Sequence, residues 1–494
     1  MRILSKFLSA GLFLAVPALL ASTPAAAEDP LRPITHEDIW LMKRLGTPVV
    51  SPDGSLAVVS VTQPAYEEDG DVSDLWLLDL NGNSPPRQLT ATDEGESGVA
   101  WSHDGTKIAF STKRGKDEVS QVYVLNMDGP GEAVAITSLS TGAGSPKWSP
   151  DDRQIAFESK VYPGALDDEA NQAEKKARDE LKINVSAYEM FPIRQWDKWR
   201  DDLQVHLFVQ DAVAGAAAES LLAGTELVSK AGFSGTPTRS GASLNIEWAP
   251  DGASLVFNAT TNLDEAAHAR VNYHLYQVSV SGGEPRALTS GDHYSCRSPR
   301  FSAGNDYLYC QYRPDNEHVY NLTQLARIPW PADSANGEPQ VLTGEFDRSV
   351  SGMEFSSNGR TLFLTANDAG RSRIYRMDAR GGEVRPLNME SRGVYSGLQA
   401  ANGKLLARWE SSATPAEIVR IDTGNGRHTP LSSFNTERAE GLDRPPFLEF
   451  WFESEKGRRI HNWLSLPAGF DASKKYHLVI QIHGGPFSSS MDSS

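Results

Sequence analysis

A Ser-Pro-Asp-Gly-like turn recurs along this chain, each time behind an apolar or aromatic residue and ahead of an alternating apolar segment. It stands at Ser51-Pro52-Asp53-Gly54, at Ser102-His103-Asp104-Gly105 behind Trp101, and at Ser149-Pro150-Asp151-Asp152 behind Trp148. It returns at Ala249-Pro250-Asp251-Gly252 behind Trp248, at Ser302-Ala303-Gly304-Asn305 behind Phe301, and at Ser356-Ser357-Asn358-Gly359 behind Phe355. A weaker seventh copy carries Ala401-Asn402-Gly403 and ends near Pro430-Leu431. Proline presets φ, aspartate bonds the backbone ahead of it, and glycine takes the positive-φ position, so each copy reads as a tight turn between two strands. In the first copy Leu56 to Val61 and Leu75 to Leu80 are those strands, and Gln88-Leu89-Thr90 closes the unit. A four-stranded unit cannot bury both faces alone, so copies must stack on one another. The expected fold is all-β: a seven-bladed β-propeller over 49–435, with an open sandwich array as the alternative that would not need such uniform turns.

Composition agrees with many short strands. The 41 glycines and 29 prolines are too few for low complexity and suit turns. At 494 residues the chain exceeds one ordinary core. A formal charge of −17 has the wrong sign for phosphate, so no nucleic-acid partner is expected. Residues 1–27 read as a secretory signal, with Arg2 and Lys6, an apolar centre from Leu12 to Leu20, and Ala25-Ala26-Ala27 as the cleavage site. Pro17 interrupts that centre, which is shorter than the ~20 residues of a spanning helix, so no stable membrane insertion is expected. Localisation would be secreted or periplasmic. In that oxidising setting the two cysteines, Cys296 and Cys310, flank the turn at Ala303 nearly symmetrically and are placed for a disulfide; two free buried thiols are the other reading. Neither a His-Glu-x-x-His run nor a cysteine–histidine cluster is present, so no metal site or cofactor is expected.

Two segments depart from the period. Residues 28–48 hold a capping box at Thr35-His36-Glu37-Asp38 and a short helix expected to run to about Arg44. Residues 160–204 interrupt the third unit: Leu166 to Leu181 reads as a solvated helix, and Tyr188 to Trp199 packs aromatics, charges and a proline together. Such an insertion is functional or merely a packing patch beside the blade, with Arg194 paired to Asp197.

After Phe434 the repeat stops. Over 436–494, Leu448 to Phe452 and Ile460 to Leu466 read as a hairpin, Pro467 to Tyr476 as a loop, and Val479 to Ile482 as a buried strand. That strand runs into His483-Gly484-Gly485-Pro486, whose glycines leave backbone amides open to close approach.

The Ser-Pro-Asp-Gly units, the segment Arg194-Gln195-Trp196-Asp197-Lys198-Trp199 and His483-Gly484-Gly485-Pro486 together resemble the prolyl oligopeptidase family of serine peptidases, most closely its acylaminoacyl-peptidase and dipeptidyl-peptidase branch. The resemblance implies a propeller followed by an α/β-hydrolase domain, here its first strands only, and a peptide substrate. It implies that a backbone amide of Gly484 or Gly485 serves an oxyanion hole. Glu189 and Asp197, with Arg194, Trp196 and Trp199, are the candidates for binding a free peptide amino terminus. No Gly-x-Ser-x-Gly occurs in these residues, and nucleophile, acid and histidine would all come after the oxyanion loop, in a remainder on the order of 150 to 250 residues. The chain is therefore expected to be a fragment, inactive by itself, of an exported serine exopeptidase; the alternative is a non-catalytic periplasmic propeller that binds a protein partner. Oligomeric state is left open.

Overall fold

In the computed structural model the recurrent turn is held by its serine. Ser51 Oγ donates to Asp53 Oδ1 at 2.6 Å and accepts from the Leu56 amide at 3.0 Å, closing the turn on itself. Ser102 does the same with Asp104 and Lys107, and Ser149 with Asp151 and Gln154. Gly54 takes φ +69°, and a Cβ there would stand 2.8 Å from the Asn402 side chain, so both conformation and space call for glycine. The structure describes residues 31–67, 70–183, 185, 188, 191–195, 197–238, 241–316, 318, 320–332, 338–387, 392–485 and 488–494. The signal-like segment lies outside them.

Each turn joins the first two strands of an antiparallel meander. A five-stranded sheet spans 44–88, and four-stranded sheets span 97–135, 144–220, 247–287 and 294–341. An eight-stranded sheet holds two further meanders, 350–386 and 394–430, joined through one parallel pairing of Ser372 with Val394. The cores lie between successive sheets. Ala156, Leu207 and Val209 of one pack with Leu255, Phe257 and Tyr276 of the next, and Leu45, Ala57 and Val59 of the first pack with Ala401, Leu406 and Ile418 of the last. Arg408 also donates to the Leu45 carbonyl at 3.1 Å and Arg420 to the Leu80 carbonyl at 2.8 Å, so the two ends of the repeat array meet.

The tryptophan ahead of three of the turns has a second task. Its indole N–H crosses to the preceding sheet: Trp101 donates to the Val49 carbonyl at 3.0 Å, Trp148 to Ala100 at 3.1 Å, and Trp248 to Lys147 at 3.0 Å. Phe301 and Phe355 lack a donor and instead make edge contacts with Trp330 and Tyr309.

The capping box forms, with Asp38 accepting from the Thr35 amide and the Arg32 guanidinium, but the helix spans only His36–Trp40. It stops short of Arg44 because Arg44 and Leu45 pair as strand with Thr62 and Val61. Cys296 and Cys310 are joined by a disulfide with Cα atoms 5.5 Å apart; Cys296 stands opposite Tyr312, and Cys310 faces a bulge between Arg297 and Arg300. No helix among the described residues is long and apolar enough to cross a membrane.

One buried group in the third meander sets a pH limit. His206 is buried, its Nδ1 lies 3.2 Å from Ser220 Oγ, and burial lowers its pKa from 6.5 to about 4. The unfolded chain therefore binds a proton that the folded chain refuses between those values. Stability is full above pH 6.5 and is expected to fall by about 3 kcal/mol as pH drops through 4. Urea titrations of the wild type and His206→Gln check this: the variant should lose that part of the slope, and an unchanged slope would assign it elsewhere.

Candidate functional site

The His-Gly-Gly segment lies open. Val479 and Ile482 are each 87% exposed, and no strand forms from 477 to 484, so the expected buried strand is corrected here. The physical reason is pairing: such a strand takes its hydrogen bonds from neighbours, and among the described residues none lies beside it. Gly485 holds φ +123°, a conformation that disfavours a side chain, and a Cβ on Gly484 would meet nothing within 4 Å. The Ser488 hydroxyl donates to the Gly484 carbonyl, and His483 Nδ1 lies 3.1 Å from that same oxygen. Among the described residues neither glycine N–H has an acceptor, so both remain available as donors. Pro486 lies outside the described residues.

The chain beyond this loop is anchored. The Asp492 carboxylate is buried and accepts from the Gly393 amide at 2.9 Å, the Ser412 amide at 3.1 Å and the Ser412 hydroxyl at 2.7 Å. Its own amide donates to the Gly370 carbonyl at 2.7 Å. The hairpin of Leu448–Glu453 and Arg459–Leu464 docks on the same turns, with Glu449 bonded to Arg371 at 2.7 Å and Trp463 Nε1 donating to the Ser490 carbonyl. Sequence reasoning missed Asp492. Nothing in Met491-Asp492-Ser493 distinguishes it, since its partners are 80 or more residues away. Beside this contact a cavity of about 570 Å³ is lined by Ile39, Arg44, Arg408, Glu410 and Phe447.

The insertion has two halves, as its composition suggests. Its helix, Asp168–Glu180, is capped by Asp167 and tied to the third meander where Asn171 accepts from the Tyr162 amide and Asp168 accepts from Ser140. The second half is a small hairpin in which Arg194 pairs with Trp199 and Gln195 with Lys198, leaving Asp197 at its tip. Trp199 is 67% exposed, with Tyr188 at 6.2 Å and the Arg194 guanidinium 5.9 Å above its ring. Trp199 thus fills no gap beside the sheet, and no Arg194–Asp197 ion pair is present among the described residues. Glu189 and Trp196 lie outside the described residues.

The first strands also build a polar cavity. Register places Val49, Ala100, Lys147, Glu247, Arg300, Glu354 and Gln399 at equivalent positions, paired respectively with Val58, Ala109, Ala156, Val256, Tyr309, Phe363 and Leu406. Five of these, from Lys147 onward, line a cavity of about 360 Å³ together with Glu158. Arg300 bridges to Glu354 at 2.8 Å across two meanders, and Glu158 accepts from Ser243 Oγ and the Leu244 amide. Burial pushes the carboxyls of Glu158 and Glu354 up, against these hydrogen bonds.

Stacked four-stranded meanders followed by a hairpin and a Gly-Gly loop define a β-propeller chain with an appended second element. Comparison with known proteins gives the same class. A structure of the β-propeller domain of the Trilobed protease from Pyrococcus furiosus matches 80% of this chain and 99% of its own, at 15% identity and TM-score 0.50. An acylaminoacyl peptidase in complex with Z-Gly-Gly-Phe-chloromethyl ketone matches 86% of this chain and 58% of its own, at 16% identity and TM-score 0.59. In sequence the chain is 24% identical over 468 residues to dipeptidyl-peptidase 5 of Porphyromonas gingivalis, covering 94% of this chain and 65% of that protein. The dipeptidyl-peptidase 5 of Aspergillus fumigatus is 24% identical over 481 residues with the same coverages. No protein-family model matches the chain. The chain spans just under two thirds of the length of these curated relatives.

Proposed function

We propose that this chain supplies the propeller and the first oxyanion donor of an exported serine exopeptidase acting on short peptides. The observation that carries the reading is the order of parts: contiguous meanders whose first and last members share a core, then a docked hairpin, then Gly484 and Gly485 with free amides. The seven meanders are read as blades closed into a ring over 49–435, with side-chain packing rather than a shared strand joining its ends. The second domain begins near 436. The oxyanion of the tetrahedral intermediate would bind the amide of Gly484 or Gly485, where loss of one donor costs about 3 kcal/mol in the transition state. The insertion reads the free amino terminus of the peptide, with Glu189 and Asp197 as the anionic partners and Arg194, Trp196 and Trp199 as walls. The relatives named dipeptidyl-peptidase support that choice.

Residues 1–494 hold no Gly-x-Ser-x-Gly, so by themselves they are expected to resist a fluorophosphonate probe. The test extends the reading frame past Ser494. A longer chain that carries the motif, takes the probe and cleaves free-amino peptides at least about tenfold faster than N-acetylated ones supports the reading. A stop codon there, or labelling of residues 1–494 alone, defeats it and leaves the propeller as a binding module.

A further inference from the structure

Arg297 and Arg313 share one face of a hairpin, with Arg297 over the Tyr273 ring, where the insertion rejoins its sheet. Arg200 closes the insertion, Arg297 sits on the strand Tyr294–Phe301, and Arg313 on its hairpin partner Tyr307–Pro314. Ser295 pairs with Arg313 and Arg297 with Gln311, which places the two guanidiniums on one face as diagonal neighbours. Arg297 lies over the Tyr273 ring at 5.4 Å, and the Tyr273 backbone is fixed by its carbonyl accepting from the Cys296 amide at 2.8 Å. Burial pushes the Tyr273 hydroxyl up in pKa, and Arg297, Arg200 and Arg313 all oppose that shift, so all three are within electrostatic reach of it.

Among the described residues the cluster has no carboxylate paired to it. Most arginines of this protein that are as enclosed have a carboxylate: Arg300 has Glu354, Arg373 has Asp368, Arg114 has Glu96. Among the described residues, none of Arg200, Arg297 and Arg313 makes an ion pair or a side-chain hydrogen bond to a carboxylate. Asp201, which acts on Arg200, faces Lys160 at 3.9 Å, and Asp315 is bonded to Arg270 at 2.9 Å. Burial lowers the pKa of both Arg200 and Arg297, the direction expected of cations whose desolvation nearby charges do not offset. Grouping like charges in this way costs free energy that an incoming anion recovers.

Position narrows the anion. The strand Tyr294–Phe301 begins on the edge of the sheets where the insertion returns to Gln204, and the Gly370–Arg371 turn that holds Glu449 of the appended hairpin opens on that same edge. The cluster therefore faces the side on which the Gly484–Gly485 loop is carried, and not the side of the Ser-Pro-Asp-Gly turns.

We propose that Arg200, Arg297, Arg313 and the Tyr273 hydroxyl form a binding site for a peptide carboxylate, either the C-terminal group or an acidic side chain. Guanidinium forks suit a planar carboxylate, and the phenol adds one donor. The peptide nature of the ligand rests on the function proposed above; the carboxylate rests on the cluster alone.

Calorimetry on the full chain tests it with Gly-Gly-Phe, Gly-Gly-Phe amide, Gly-Glu-Phe amide and N-acetylglycine as probes. Gly-Gly-Phe should bind at least about tenfold more tightly than its amide, and Arg297→Gln and Arg313→Gln should each remove about tenfold, as expected for charge-assisted hydrogen bonds. Binding of Gly-Glu-Phe amide would assign the source to an acidic side chain, and its failure to bind would assign the chain terminus; either supports the site. Arg153→Gln, an exposed turn residue on the opposite edge, should leave every affinity unchanged. Arg297→Lys, which keeps the charge, guards against misfolding as the cause of a loss. Equal affinity for acid and amide, insensitivity to the arginine variants, or no binding of any probe would overturn the proposal. Because binding is read without hydrolysis, N-acetylglycine binding in a chain that proves not to be a peptidase still supports the carboxylate site.

Discussion

Trp248→Ala is expected to lower the unfolding free energy by about 3–5 kcal/mol, the usual cost of emptying a large buried aromatic site. Trp248 sits in the core between the third and fourth sheets, among Leu207, Leu255, Phe257 and Tyr276, and its indole N–H is the tie to the Lys147 carbonyl. Trp248→Phe separates these contributions. It keeps most of the apolar volume and removes only the hydrogen bond, so it should cost about 1 kcal/mol more than simple shape loss. Urea denaturation followed by tryptophan fluorescence and by circular dichroism reads both. If Trp248→Ala and Trp248→Phe were equally mild, packing between sheets would not be what holds adjacent meanders together.

Reducing the Cys296–Cys310 disulfide is expected to cost about 3 kcal/mol, because the cross-link closes a short loop and limits the unfolded chain. Both sulfurs are buried, so reduction of the native protein should be slow and reduction in urea fast. The measurement is the urea midpoint with and without reductant, beside a Cys296→Ala/Cys310→Ala double variant that should resemble the reduced protein. A midpoint that reductant leaves unmoved would mean the hairpin is already fixed by its pairing and by Tyr309 and Tyr312 in the cores around it.

Much of the fold was legible because its signals are local. Ser51, Asp53 and Gly54 complete their turn within five residues, and the apolar run of Leu56–Gln63 follows as a strand immediately behind it. The insertion helix was legible for the same reason, since Asp167 caps it and i,i+4 pairs such as Glu174–Arg178 lie within it. Helix length at Trp40 was not, because Arg44 and Leu45 answer to Thr62 and Val61 rather than to their own neighbours. The candidate site divides in the same way. Gly484 and Gly485 stand out in sequence because the absence of a side chain is itself the signal. Asp492, Ser412 and Gly393 do not, since each is an ordinary residue until the chain brings them together.

By itself the sequence determined the meanders, their turns, the place of the insertion and the hairpin after the repeat, all set by period-two alternation and by residues that fix φ. Only the tertiary structure decided that the first and last meanders share a core, that Val479 to Ile482 finds no strand partner among the described residues, and that Arg297 and Arg313 share a face beside Tyr273 with no carboxylate paired to them among those residues. The physical reason is range. Turn chemistry and alternation act over a few residues, whereas strand pairing and charge balance are settled between residues that long stretches of chain keep apart.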